Sequence, residues 1–146
     1  MRIGLDFDNT IACYDGKFHA AALERGWIPE TLATDKTSVR DHLRGRGRDE
    51  DFTLLQGHVY GPGLATALPY PGVADFIARA GAAGHRVTVV SHRTRTPFAG
   101  PPHDLHAAAR GFLARHALVA EGDVFLEETK EAKAARITAL GCDVFV

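Results

Sequence analysis

Residues 2–10 read RIGLDFDNT, and this short stretch decides the fold. Ile3, Leu5 and Phe7 make an apolar run over residues 2–8, as expected of a strand buried in a parallel sheet. The run ends in Asp6 and Asp8. Ligand sites in open α/β sheets lie at the carboxyl ends of the strands. Two acids two residues apart on a strand point the same way, so both can reach one ligand or one cation. Burying both without a partner is expensive, which favours a chemical role over a structural one.

Working outward, RVTVVS at 86–91 predicts a second strand, with the β-branched residues that strands favour. The segment before it, PGVADFIARAGAAGH, predicts a helix that starts near Pro71. Val73, Phe76, Ile77 and Ala80 recur at helical spacing, and Gly84 marks the stop. The alternation continues with a helix over 104–116, a short strand over 123–126, a helix over 130–140 and a strand over 143–146. Such alternation predicts an α/β fold, a parallel Rossmann-like sheet flanked by helices with right-handed crossovers.

Residues 14–68 break the pattern. Helices are predicted near 17–25, 38–43 and 51–60, inserted after the first strand. The expected division is therefore a core of residues 1–13 and 69–146 and a small helical insertion of residues 14–68. Within it, RDHLRGRGRDED at 40–51 reads as a solvated loop of mixed charge, and PFAGPPH at 97–103 reads as a loop after the second strand.

Composition narrows the function classes. The 146 residues are 45% hydrophobic and 24% charged, as for one globular domain. Lys and Arg total 17 against 18 Asp and Glu, a formal charge of -1 without the basic excess of a nucleic-acid binder. No run of 18 apolar residues occurs, and Asp6 and Asp8 interrupt the apolar start where a signal peptide needs an uncharged stretch. A cytoplasmic protein with no nucleic-acid or membrane partner is expected. Cys13 and Cys142 form neither a CxxC pair nor a disulfide framework, so reduced, mostly buried thiols are expected. There is no CxxxxxR, GxxxxGK or GxGxxG pattern. His103 and His106, spaced i, i+3, lack a third ligand and read as helix surface.

IGLDFDNT resembles the first motif of the haloacid dehalogenase superfamily of phosphohydrolases, an apolar strand ending in DxDxT or a close variant. The resemblance implies an HAD-type core and makes the insertion a small cap closing over the site, with substrate choice residing in residues 14–68. Tyr14, Trp27, His42, Arg44, Arg46, His58 and Tyr60 are the possible contacts there. It also implies Asp6 as nucleophile and Asp8 as general acid and base, with Asn9 and Thr10 beside the substrate. Asp at position 8 favours phosphomonoester hydrolysis or phosphotransfer over carbon–halogen cleavage. Magnesium would lie at Asp6 and the Asp8 carbonyl.

The second family motif is a Ser or Thr ending the next strand, here Ser91, followed by His92 and Arg93. Its hydroxyl would hold a phosphate oxygen, and the guanidinium would orient a second anionic group. The third is a lysine near a helix start. Lys130 and Lys133 are the candidates, since Lys17 and Lys36 lie in the insertion. Lys133 is preferred on spacing, with Lys130 retained as a substrate contact. The fourth, one or two acids beyond the last strand, is not present in CDVFV, and a longer protein is expected to supply it. The implied activity is hydrolysis of a small phosphorylated metabolite, of the nucleotide or sugar-phosphate class, through an aspartyl-phosphate. The alternatives are a non-catalytic phosphate-binding module and a phosphotransferase.

Overall fold

The computed structural model describes residues 1–146. In chain order it forms β1 (Arg2–Leu5), β2 (Ala12–Cys13), α1 (Lys17–Glu24), α2 (Lys36–Arg44), α3 (Asp49–Tyr60), β3 (Leu68–Pro69), α4 (Val73–Ala82), β4 (Arg86–His92), α5 (Leu105–Arg115), β5 (Val124–Glu127), α6 (Lys130–Leu140) and β6 (Val144–Phe145). Single 3-10 turns cover Pro62–Ala65 and Glu121–Asp123.

Four strands make one parallel sheet in the order β5-β4-β1-β6. Leu5 lies opposite Val89, Val89 opposite Val124, and Ile3 opposite Val144. Parallel neighbours cannot be joined by tight turns, so helices carry the chain back between them. The fold is thus Rossmann-like α/β, a four-stranded parallel sheet flanked by six helices.

Local chemistry explains the helix ends. Asp35, Asp104 and Thr129 precede α2, α5 and α6, and each side chain accepts from the main-chain N–H three residues on. Gly84 follows α4 with φ +78°, a left-handed stop that residues with a Cβ disfavour, as its sequence position predicts.

Several expectations change. The first strand ends at Leu5, not at residue 8, because Phe7 O accepts from the N–H groups of Thr10, Ile11 and Ala12 and folds the chain into a tight loop. Asn9, at φ 59°, makes the left-handed turn. The charged run at 40–51 is mostly helical: it spans the end of α2 and the start of α3. Ion pairs Arg40–Asp41, Arg44–Asp49 and Arg48–Asp51 lie along it. His106 is buried rather than on a helix surface, and Cys13 and Cys142 are free and half-buried.

Sequence reading missed the antiparallel pair β2–β3. Ala12 pairs with Pro69 and Cys13 with Leu68, so the two ends of the insertion meet in a separate two-stranded sheet. Between them α1, α2 and α3 pack on one another. A single apolar cluster runs from the sheet (Leu5, Val89) through Phe7 and Phe112 to Phe18, Leu43 and Leu55 of the helical insertion. No helix is long and apolar enough to cross a membrane.

Candidate active site

The tight loop after β1 carries both acids. Phe7 between them is fully buried, edge-on to Phe112 at 5.4 Å. That anchor fixes the loop while Asp6 and Asp8 on either side stay partly exposed. Asp6 N donates to Val146 O at 2.7 Å, which ties the loop to the chain beyond β6.

Each carboxylate has its own cation. Lys133 Nζ, from the first turns of α6, lies 2.7 Å from Asp6 Oδ2, while Asp6 Oδ1 accepts from the N–H of Phe7 at 2.7 Å. Arg93, just past β4, places Nη2 2.5 Å from Asp8 Oδ1. Burial pushes the Tyr14 phenol far above its ordinary range, with the nearby Asp8 charge a further cause. It therefore stays protonated and donates to the same Asp8 oxygen.

Arg93 is 4% exposed and heavily engaged. Its Nη1 donates to the carbonyls of Tyr60 and Leu105 at 2.7 and 3.3 Å, and Nη2 reaches Tyr14 Oη at 3.0 Å. His106 Nε2 donates to the Arg93 carbonyl at 2.8 Å. The guanidinium expected to orient a substrate anion bonds through Nη1 and Nη2 to Asp8, Tyr14 and two main-chain carbonyls, while its Nε is buried without a partner. Its partners leave no Nη group for a second anionic group.

A cleft of about 560 Å³ opens beside Asp8. Its walls come from α2 and α3 (Lys36, Thr53, Gln56, Tyr60), from the chain after β4 (His92, Arg93, Pro97, Phe98) and from Lys130. Asp6, Ser91 and Lys133 stand outside that wall. Ser91 is 1% exposed, and its Oγ is buried without a hydrogen-bond partner. Such an orphan hydroxyl costs about 1–3 kcal/mol, which an incoming acceptor would relieve. Asn9 is exposed in its left-handed turn and Thr10 is half-buried behind it.

Of the insertion residues expected as contacts, only Tyr60 lines the cleft, while Tyr14 bonds to Asp8 from behind. Sequence reading missed Lys36, Thr53, Gln56 and Phe98. Nothing local distinguishes them: Lys36 simply begins α2 after its capping Asp35.

The oxygen donors fit magnesium in kind. Asp6 and Asp8 supply two carboxylates, Asp8 Oδ2 makes no hydrogen bond within the protein, and the main-chain carbonyl of Asp8 accepts none. Magnesium is commonly held by one or two carboxylates with phosphate oxygens and water completing the shell. No group of three or more His, Cys, Asp or Glu side chains converges in the chain.

The chain is thus a parallel α/β protein whose first strand delivers two cation-paired carboxylates to the edge of an open cleft. Compared with models of known protein families and with curated proteins, it matches none.

Proposed function

We propose that the chain is a magnesium-dependent phosphohydrolase of the haloacid dehalogenase kind, acting on a small phosphomonoester through an aspartyl-phosphate. The observation that carries this reading is the 2.7 Å pair of Lys133 and Asp6, with Asp8 two residues on and separately held by Arg93. Asp6, Lys133 and Asp8 are the residues that the motif order offers as nucleophile, neutralising lysine and second acid.

An oxygen of the Asp6 carboxylate attacks phosphorus, and the bond to the leaving oxygen breaks. Lys133 balances the Asp6 charge before attack and the phosphoryl charge after it. Asp8 Oδ1 is occupied by Arg93 and Tyr14, so Oδ2 is the oxygen that takes up a proton from solvent before attack and passes it to the leaving group. The same oxygen then takes a proton from the water that opens the aspartyl-phosphate. Ser91 Oγ, buried without a partner, is suited to a phosphoryl oxygen. Magnesium, held by Asp6 and the Asp8 carbonyl, would supply the positive charge that offsets repulsion between carboxylate and phosphate. The helices of residues 14–68 serve as the cap over the cleft.

The test is phosphate release from a panel of metabolite esters, with and without magnesium, by the chain and by Asp6→Asn. Release that needs both magnesium and Asp6 is expected. Undiminished release by Asp6→Asn would overturn the mechanism. A second reading is a phosphate-binding module without turnover, in keeping with an Asp8 carboxylate held by both Arg93 and Tyr14. Saturable ester binding with no release under any condition selects it.

A further inference from the structure

We infer that the substrate carries a second anionic group, a carboxylate or a further phosphate, held between Lys36 and Lys130. The inference rests on the phosphoester reading for the position of the first phosphate and deepens it by naming a class of ester.

Charge in the cleft is the starting point. Its ionisable lining is Asp8, Lys36, His92, Arg93 and Lys130. Asp8 and Arg93 neutralise one another at 2.5 Å, which leaves two ammonium groups facing the cleft and no free acid. Neither Lys36 nor Lys130 takes part in any ion pair of the chain.

Lys36 is also held in place. Its Nζ donates to Tyr60 Oη at 2.8 Å and lies 5.2 Å from the Phe18 ring centre and 5.5 Å from that of Tyr60. Aromatic faces attract the cation without neutralising it. One of its three donors is used by Tyr60, and the other two have no protein acceptor. A half-buried, pre-ordered ammonium with spare donors suits an anion, because the cost of ordering a long side chain has already been met on folding.

The lysine paired with Asp6 is Lys133, at 2.7 Å, whereas Lys36 and Lys130 line the cleft beside Asp8 and pair with no acid. Lys130 and Lys133 are three residues apart on α6, so one helical face serves both positions. Lys36 comes from the insertion and Lys130 from the sheet-side helix.

The test compares glycerol 3-phosphate, 3-phosphoglycerate and 2,3-bisphosphoglycerate, which add no second anion, a carboxylate, and a carboxylate with a second phosphate. Turnover is measured with magnesium for the unaltered chain, Lys36→Gln and Lys36→Arg. Dissociation constants for the same probes are measured on Asp6→Asn. The expected result is kcat/KM and affinity at least about tenfold higher for the doubly anionic esters than for glycerol 3-phosphate. Lys36→Gln collapses that ratio and Lys36→Arg retains it. Comparing the last two probes tells carboxylate from phosphate. Turnover with no preference among the three overturns the second-anion site and leaves hydrolysis standing. Graded binding without turnover overturns hydrolysis and keeps the site, and neither binding nor turnover overturns both.

Discussion

Asp8 and Arg93 meet at 2.5 Å although 85 residues separate them in sequence. The acid belongs to the loop after β1 and the base to the chain leaving β4. Through Nη1 the same guanidinium also holds the last carbonyl of α3 and the first of α5. One buried cation thus joins the sheet edge, the insertion and a flanking helix.

Arg93→Gln therefore removes the cation beside Asp8, which keeps only the Tyr14 hydroxyl, and takes a donor from the Tyr60 and Leu105 carbonyls. Breaking a buried pair from one side costs about 3 kcal/mol. We expect a lower urea midpoint with little change in slope. Arg93→Lys recovers little, because one ammonium cannot span the positions of the guanidinium fork. A midpoint equal to that of the unaltered chain would show that the three elements do not depend on Arg93.

Lys133→Met and Lys130→Met separate two uses of one helix. Losing Lys133 leaves Asp6 without its cation, and a fall in kcat of about 100-fold is expected, the scale of one lost electrostatic stabiliser. Losing Lys130 removes charge from the cleft wall alone, so its effect falls mainly on KM. Steady-state kinetics on one ester checks both, and the reverse pattern would exchange the assignments.

Gly57 sits where α3 meets the 97–100 loop. A Cβ there would lie 2.8 Å from Pro97 Cβ and 3.3 Å from the Ala99 carbonyl oxygen. Helix propensity favours Gly57→Ala by about 1 kcal/mol. The clash is with a stiff ring and with backbone, and overpacking of that kind costs about 1–3 kcal/mol. We expect a net fall in Tm with a raised KM, since Pro97 lines the cleft. A higher Tm would mean that the loop yields freely.

His58 gives the fold a pH dependence of known sign. Burial, then the nearby Arg25 cation, holds its imidazole below the ordinary value of 6.5, with Glu24 opposing. A depressed folded-state value means that the folded chain prefers the neutral ring. This contribution is complete above pH 6.5 and is lost as pH falls through the folded-state value. Urea unfolding between pH 7.5 and pH 5 should show the decline, and His58→Gln should make it shallower. An unchanged slope in the variant would assign the decline to other groups.

The sheet and its helices were legible because their signals are local. RVTVVSH carries β-branched residues in succession, and α6 follows from its pattern to the residue, Lys130–Leu140. β2 and β3 escaped because two residues cannot display a period. The run 40–51 misled because alternating charges that form ion pairs along helix ends resemble a solvated loop when read singly. Motif order alone brings Asp6, Asp8 and Lys133 together, and the structure pairs Lys133 with Asp6. For Arg93, only packing reveals that Asp8, Tyr60 and Leu105 surround it. Lys36 had no local mark at all. Its position over the cleft depends on how α2 seats against Phe18 and Tyr60.

The β2–β3 pair has a topological corollary. Because Ala12 and Pro69 stand opposite each other, the two ends of the intervening helices are already closed by the β2–β3 pair, and loop-closure entropy grows only slowly with the length between them. The parallel sheet is therefore insulated from changes in that segment's size. The helices can be lengthened, shortened or exchanged at this clasp without displacing β1 or the loop that carries Asp6 and Asp8.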